Sequence, residues 1–181
     1  MQTGKSGIST GRLVVSSLMI CLVLLGTVLF RIPVPMTQGY VHLGDAMIFI
    51  GVMLLGRKQG AVSAALGSAL GDILGGYAFW APWTFVIKFA MAYTAGYLID
   101  KSAVPGIHGE VTSRRLTAPV IAAMAAGGLV MCAGYLIAER IMYGSWAAAV
   151  IGLPWNTGQF IAGIAVTAAA HPLFIRIEQN I

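Results

Sequence analysis

The sequence predicts an all-α integral membrane protein with six transmembrane helices and both termini in the cytoplasm. Hydrophobic residues make up 58% of the 181 residues and charged residues only 9%, whereas a soluble domain carries about 25% charged residues. Apolar stretches cover most of the chain and are separated by short polar or Pro/Gly-containing segments. This continuous pattern and the length indicate one transmembrane domain over residues 1–181.

Charged, glycine or proline residues bound each predicted span. A turn at 56–60 separates the second span from the third, and an aromatic corner at 77–83 separates the third from the fourth. A helix needs roughly 17–25 residues to cross a bilayer, and the second span is too short unless it extends back into the preceding loop. The six spans are 13–30, 43–55, 61–80, 83–99, 116–138 and 155–175.

Ser17 and Cys21 form a small-x-x-x-small pair in the first span. This spacing suits a contact with another helix, although ordinary packing against lipid fits it equally well.

The loop 31–42 that follows contains two prolines and a glycine, which forbid a continuous helix. It is apolar for a loop and includes Tyr40. We expect it to fold back over a cavity as a lid.

Small residues recur at every fourth position of the third span, at Ser63, Gly67, Gly71 and Gly75. Helices embedded in hydrocarbon use this spacing to bring two backbones close together. The stripe therefore predicts a tight helix–helix contact.

The segment 145–153 is also apolar, but it ends at Pro154. Because proline interrupts helical hydrogen bonding, we expect this segment to be a short re-entrant or interfacial piece that precedes the sixth span.

Lysine and arginine predict the orientation. With the N-terminus inside, the cytoplasmic segments hold eight basic residues and the outer segments hold two, Arg31 and Arg140, while Lys88 lies within a span. Cytoplasmic loops carry the excess of positive residues in membrane proteins, so both termini are expected inside. This distribution also accounts for the net charge of +5 without a nucleic-acid partner.

On this topology, polar side chains from several spans converge in the outer half of the membrane. Lys88 lies about 9 Å below the membrane edge by helical rise. An ammonium at that depth costs a few kcal/mol, so it should face protein, water or ligand. Asn156 and Gln159 open the sixth span at i, i+3 spacing and share one helix face. Glu139 ends the fifth span from the same side.

Aromatic residues at the same level could stack on a flat ring. An acid, a base and two amides together suit a heteroaromatic ligand with both donors and acceptors. The candidate binding residues are Tyr40, Trp83, Lys88, Tyr135, Glu139, Trp155, Asn156 and Gln159.

Structural roles compete with binding at three of these positions. Lys88 could pair with Asp72 or Glu139 across the bundle, and Glu139 could be a solvated helix end. Asn156 could cap the helix, as asparagine commonly does.

Three further polar residues are interpreted as structural. Asp72 is expected to accept a hydrogen bond from a neighbouring helix, and Asp45 to be the N-cap of the second span. His171 lies near the cytoplasmic end, far from the outer site.

Several function classes lack their motifs in this sequence. There is no G-x-x-x-x-G-K-[ST] loop for ATP, no hydrolase or metalloprotease signature and no apparent inverted repeat of a secondary transporter. Cys21 and Cys132 are not at metal-ligand spacing and are interpreted as packing residues. We therefore expect no catalytic residue, metal or cofactor, and a binding subunit whose energy source lies in another chain.

Three blocks of sequence carry a family resemblance: G-Y-V-H-L-G-D-A at 39–46, L-L-G-R-K-Q-G-A at 54–61, and the stretch 66–88. They resemble the substrate-binding S component of energy-coupling factor (ECF) vitamin transporters. The closest likeness is to the riboflavin-type branch, which includes the hydroxymethylpyrimidine S component of lactobacilli. The resemblance covers essentially the whole chain.

This resemblance implies a vitamin-binding protein that is not itself an enzyme. Its partners would be a transmembrane coupling subunit (T component) and two cytoplasmic ABC ATPases. The family's first helix usually contacts the coupling subunit through an A-x-x-x-A motif, where this chain has Ser17 and Cys21.

The implied ligand is hydroxymethylpyrimidine or a pyridoxine-like ring, with riboflavin, pantothenate or another vitamin as alternatives. A membrane enzyme acting on a lipid and a purely structural subunit are the competing classes of function.

Overall fold

The fold of the computed structural model is a bundle of long helices with one short β-hairpin. It describes residues 9–34, 39–102 and 116–178, with side chains to residue 173. Residues 103–115, between the fourth and fifth predicted spans, and residues 1–8 therefore lie outside the described residues. The elements are α1 Thr10–Leu29, β1 Arg31–Pro33, β2 Tyr40–His42, α2 Gly44–Leu74, α3 Ala81–Ser102, α4 Ala118–Tyr143 and α5 Trp146–Glu178.

Helix α2 is a helical hairpin. Gly56 has a non-helical backbone with φ 79° and ψ 175°, which glycine adopts without steric cost. A Cβ atom added at Gly60 would lie 2.8 Å from Cα of Val52, although residues eight apart in a continuous helix are separated by about 12 Å. The chain therefore turns back at Gly56, as the predicted turn at 56–60 requires. The two arms correspond to the predicted second and third spans.

The third predicted span ends earlier than expected. Helix α2 stops at Leu74 rather than at residue 80, and Gly76 has φ 84°. A turn over 75–80 then leads directly into α3 at Ala81. The glycine pair ends the helix before the aromatic corner begins.

The small-residue stripe of α2 packs against α1, as its spacing predicts. A Cβ atom at Gly67 would lie 2.7 Å from the carbonyl oxygen of Ile20, and one at Gly71 would lie 2.6 Å from Cγ2 of Thr27. Ser63 Oγ donates a hydrogen bond to the Ser16 carbonyl at 3.3 Å. Only small residues allow the two backbones to come this close.

Helix α1 has one buried face and one exposed face. Met19, Val23 and Thr27 are buried, whereas Ser17 and Cys21 lie on the exposed face among apolar side chains such as Leu18 and Leu25. The larger exposed apolar residues of this helix are Leu13, Val14, Val15, Leu18, Leu25, Val28 and Leu29. Such a face suits lipid or another apolar helix rather than water.

Three helices within the described residues are long and apolar enough to cross a membrane: Thr10–Leu29, Ala118–Tyr143 and the Trp146–Leu173 part of α5. The core lies between α2, α3 and α4, where Phe49, Met91, Met124 and Met131 are fully buried. Cys132 is buried there too, as a packing residue should be.

The expectation of a separate re-entrant piece at 145–153 is wrong. Helix α5 begins at Trp146 and continues through Pro154, and the break falls before it, at Gly144 with φ 69°. Pro154 has no N–H, so the helical hydrogen bond to the Val150 carbonyl cannot form. Transmembrane helices tolerate such a loss where neighbouring groups compensate. The residues expected to be re-entrant are the first turns of α5.

The predicted lid is an antiparallel β-hairpin where it is described. Arg31 pairs with His42, Ile32 with Val41 and Pro33 with Tyr40. The prolines exclude helix but allow this short ladder, and residues 35–38 of the predicted lid lie outside the described part.

Candidate functional site

A cavity lies between the β-hairpin, the 75–80 turn and helices α3, α4 and α5. The open space between its walls, counted out to the solvent at its mouth, is about 470 Å³. Its lining residues are Val34, Gly39, Tyr40, His42, Asp72, Trp80, Thr84, Tyr135, Glu139, Gly152, Trp155, Asn156 and Gln159.

The structure brings most of the predicted binding residues together at this cavity. Those that line it are Tyr40, Tyr135, Glu139, Trp155, Asn156 and Gln159. The two others, Lys88 and Trp83, are not among the lining residues. Trp83 packs half-buried against the core instead.

Lys88 forms an ion pair with Asp45, a partner that the sequence analysis did not consider. The Lys88 ammonium bonds to Oδ1 of Asp45, and both side chains are 0% exposed. The ammonium also lies 2.8 Å from Sδ of Met131. Lys88 therefore faces protein, one of the expected alternatives, but its partner is neither Asp72 nor Glu139. A contact between Lys88 and ligand stays a prediction. The free-energy cost of burying the Lys88 ammonium is compensated by the Asp45 carboxylate on α2.

The interpretation of Asp45 as a helix N-cap is also wrong. Helix α2 begins at Gly44, and its N-cap residue, Leu43, makes no side-chain cap. Nδ1 of His42 accepts the Gly44 N–H at 3.0 Å and supplies a cap instead. The Asp45 side chain therefore points into the interior of the bundle, where it pairs with Lys88.

Gln159 connects the hairpin to this ion pair. Its Oε1 accepts the backbone N–H of His42 at 2.9 Å, and its Nε2 donates to Oδ2 of Asp45 at 3.0 Å. Both ends of the amide are thus engaged within the protein, although the side chain borders the cavity. Gln159 holds β2 against α5.

His42 is a neutral imidazole in this arrangement. Burial, followed by the positive charge of Lys88, lowers the pKa of His42 to about 3. Because Nδ1 accepts a hydrogen bond from Gly44, the ring proton resides on Nε2.

Tyr40 ties the hairpin to the third span. Its hydroxyl donates to Oδ1 of Asp72, and its ring packs against that of Tyr77 at a tilt of 49° with 4.6 Å between centroids. The guanidinium of Arg31 lies 4.5 Å from the Tyr40 ring centroid and donates to the Gly75 carbonyl at 2.9 Å. Asp72 accepts a hydrogen bond, as expected, and the donor Tyr40 belongs to the hairpin.

Trp80 and Tyr135 form the aromatic wall of the cavity, with ring centroids 5.9 Å apart in an edge-to-face arrangement. The Tyr135 hydroxyl donates to Oγ1 of Thr84 at 3.3 Å. Trp155, on α5, also lines the cavity and is 41% exposed. The sequence analysis predicted that Trp83 of the aromatic corner would stack on a ligand. In the structure, Trp80, three residues earlier in the chain, lines the cavity instead.

Glu139 and Asn156 do not have the structural roles considered for them. Glu139 is 5% exposed, so it is not a solvated helix end. Asn156 lies in the interior of α5, well past Trp146, and so is not an N-cap. Asp72, Thr84, Trp80 and His42 were missed as lining residues. The sequence shows an acid at Asp72 and a tryptophan at Trp80, but it does not show which face of each helix points toward the cavity.

His171 has the structural role expected of it. Its Nε2 accepts the backbone N–H of Leu116 at 3.1 Å, which joins the start of α4 to the end of α5. This bond is remote from the cavity.

A helical bundle with lipid-suited faces and a cavity behind a hairpin defines a membrane protein that binds a small molecule. The chain belongs to a family of such proteins, because residues 7–177 match the family model described as "ECF-type riboflavin transporter, S component". It is thus a multi-pass, membrane-embedded, substrate-binding subunit of a transporter rather than an enzyme.

Two individual relatives are similar in sequence. The chain is 28% identical over 149 residues to the "Thiamine precursor transporter HmpT" of Lactococcus lactis subsp. cremoris (strain MG1363), covering 82% of this chain and 78% of the relative. It is 36% identical over 118 residues to an uncharacterized protein of Pyrococcus woesei, covering 65% and 71%.

A solved structure shares the fold. Its description is "Structure and mechanism of the S component of a bacterial ECF transporter", and it superposes with a TM-score of 0.71 at 16% identity. The match covers 92% of this chain and 96% of the other.

Proposed function

We propose that this S component binds hydroxymethylpyrimidine or a closely similar small heteroaromatic ring, such as a pyridoxine-like vitamin. The observation that carries the proposal is the cavity, in which Trp80 and Tyr135 supply an aromatic wall and Glu139 and Asn156 supply polar groups. A flat ring with donors and acceptors matches this lining. The similarity to a thiamine precursor transporter supports the same ligand class.

Riboflavin is the second candidate, since the matching family is described by that vitamin. Pantothenate, which has no aromatic ring, is less well matched by the aromatic wall. No cofactor is needed for either binding function.

We further propose that the chain crosses the membrane six times with both termini in the cytoplasm. The arms of α2 supply two of the crossings. Helix α3 supplies another, beside the three long apolar helices. The distribution of lysine and arginine supports the orientation.

The partners in this proposal are a T component and two cytoplasmic ABC ATPases, which hydrolyse ATP on behalf of this subunit. The exposed face of α1 at Ser17 and Cys21 supports a role in contacting the T component, because it is apolar and contains small residues.

The test is ligand identification followed by calorimetry. Protein purified in detergent is denatured, and the released small molecules are identified by mass spectrometry. Ligand-free protein is then titrated with hydroxymethylpyrimidine, pyridoxine, riboflavin and pantothenate. Tight binding of hydroxymethylpyrimidine or pyridoxine supports the proposal. Tight binding of riboflavin or pantothenate alone contradicts it.

A further inference from the structure

The carboxyl group of Glu139 is an unmatched polar group in the cavity wall. Its Oε2 is buried and has no hydrogen-bond partner among the described residues. Neither ion pair formed within those residues includes Glu139, and its neighbour Arg140 lies over Trp146 instead. A buried carboxyl oxygen left in this state is costly unless a ligand supplies a donor.

The backbone of α5 provides a seat for this carboxyl group. A Cβ atom added at Gly152 would lie 2.5 Å from Oε2 and 2.6 Å from Oε1 of Glu139. Any larger residue at this position would therefore displace the carboxylate. Glycine here places the acid directly against the helix at the cavity.

Asn156 lies one turn further along the same face of α5, at i+4 from Gly152. The Asn156 side chain borders the cavity, and no hydrogen bond links it to another described residue. An acceptor oxygen seated at Gly152 is thus followed by an amide that can donate. This order matches a ring edge with an N–H donor beside a nitrogen acceptor.

We propose that Glu139, seated on Gly152, and Asn156 together recognise the amino-substituted edge of a pyrimidine. The exocyclic amino group donates to Glu139, and the adjacent ring nitrogen accepts from the Asn156 amide. This inference rests on the function proposed above and names the atoms that the site reads. The corresponding edge of a flavin carries an N–H between two carbonyl groups, so the acceptor beside its donor is a carbonyl oxygen rather than a ring nitrogen.

The test is a cycle between protein variants and ligand analogues. Hydroxymethylpyrimidine that carries the amino group is compared, by titration calorimetry, with the analogue in which hydrogen replaces that group. The parent should prefer the amino form by about five- to 150-fold, the equivalent of one hydrogen bond whose loss leaves a buried partner unsatisfied. Glu139→Ala should reduce this preference to within about threefold, as expected when the acceptor is gone.

Gly152→Ala supplies a second route to the same answer. It should weaken binding of the amino form in the parent, because it displaces the carboxylate, and have little further effect when combined with Glu139→Ala. Ile137→Ala is the matched control on α4, since Ile137 is 54% exposed. Glu139→Gln, which keeps one acceptor oxygen, guards against loss of folding and should retain part of the preference.

A preference for the amino form that persists undiminished in Glu139→Ala overturns this subsite while leaving the proposed function standing. If the parent binds neither pyrimidine nor pyridoxine, the proposed function fails as well, whereas binding of pyridoxine alone refutes only this subsite. If the parent binds both equally, only the recognition of the amino edge is refuted.

Discussion

At the scale of single residues, the buried pair of Lys88 and Asp45 dominates the interior. The pair is separated by 43 residues in sequence and joins α2 to α3 with no exposure to solvent. Removing one partner from a buried pair strands the other charge, whereas removing both is often tolerated. The pair therefore stabilises the bundle only as a unit.

Lys88→Met is expected to destabilise the protein by about 3–5 kcal/mol, because it leaves the Asp45 carboxylate uncompensated. The double variant with Asp45→Asn should recover much of this loss, since asparagine keeps an acceptor for Gln159. The thermal unfolding midpoints of the parent, the single variant and the double variant, all in the same detergent, measure the loss and its recovery. Equal midpoints for the single and double variants would contradict the pairing.

Gln159 and Asn156 are expected to respond differently to alanine substitution. Gln159→Ala removes the acceptor of the His42 N–H, so the hairpin should open more often. Amide exchange at His42 should then accelerate as ligand affinity falls. Asn156→Ala should lower affinity by about five- to 150-fold without changing that exchange. Identical exchange in the two variants would show that Gln159 does not hold the hairpin.

Much of this site could be predicted from the sequence, but its internal bonding could not. The i, i+3 spacing of Asn156 and Gln159 is a local property, so it correctly placed both on one face at the cavity. Which residue neutralises Lys88 depends on how α2 packs against α3, and no local pattern encodes that. The same limit hid the contribution of Trp80, because the direction of a corner side chain follows from the turn geometry.

At the scale of elements, the spacing of small residues predicted a helix–helix contact correctly, whereas a proline predicted a helix end incorrectly. The repeat of small residues identified the face of α2 that meets α1, because only close backbones require it. Pro154 suggested a break that does not exist, since one missing hydrogen bond does not end a long transmembrane helix. The glycine at 144, with its left-handed backbone, is the true boundary.

Gly71→Leu should destabilise the bundle by about 1–3 kcal/mol, because its side chain would collide with Thr27 on α1. Gly158→Leu is the matched control, since a Cβ atom at Gly158 meets nothing within 4 Å. Thermal unfolding of the two variants should differ clearly. A midpoint for Gly71→Leu that equals the control's would mean that this contact does not contribute to stability.

At the scale of the whole molecule, the charge distribution and the cavity support the proposed orientation. The hairpin and the α4–α5 connection flank the cavity, whereas the described basic residues Arg57, Lys58 and Lys101 lie near the opposite helix ends. The cavity should therefore open away from the cytoplasm. This follows from sequence charge together with the positions of the helix ends.

Cysteine labelling in whole cells tests this orientation, in a variant from which Cys21 and Cys132 have been removed. Pro33→Cys and Ser145→Cys should react with a membrane-impermeant maleimide added from outside. Ser102→Cys should react only after the membrane is permeabilised, which serves as the control for thiol accessibility. Labelling of Ser102→Cys in intact cells would reverse the proposed topology.

The subunit alone should bind its ligand without concentrating it. The sequence contains no G-x-x-x-x-G-K-[ST] loop, and the proposed function assigns ATP hydrolysis to other chains. Reconstituted into liposomes, the purified protein should bind radiolabelled hydroxymethylpyrimidine in proportion to its amount, with no accumulation in the lumen when ATP is enclosed. Co-reconstitution with a T component and two ABC ATPases should make accumulation depend on ATP.

An Asn156→Ala subunit, tested beside the parent, should weaken binding and uptake together because both use one cavity. ATP-independent accumulation by this chain alone would mean that it transports by itself, and the subunit function would have to be abandoned.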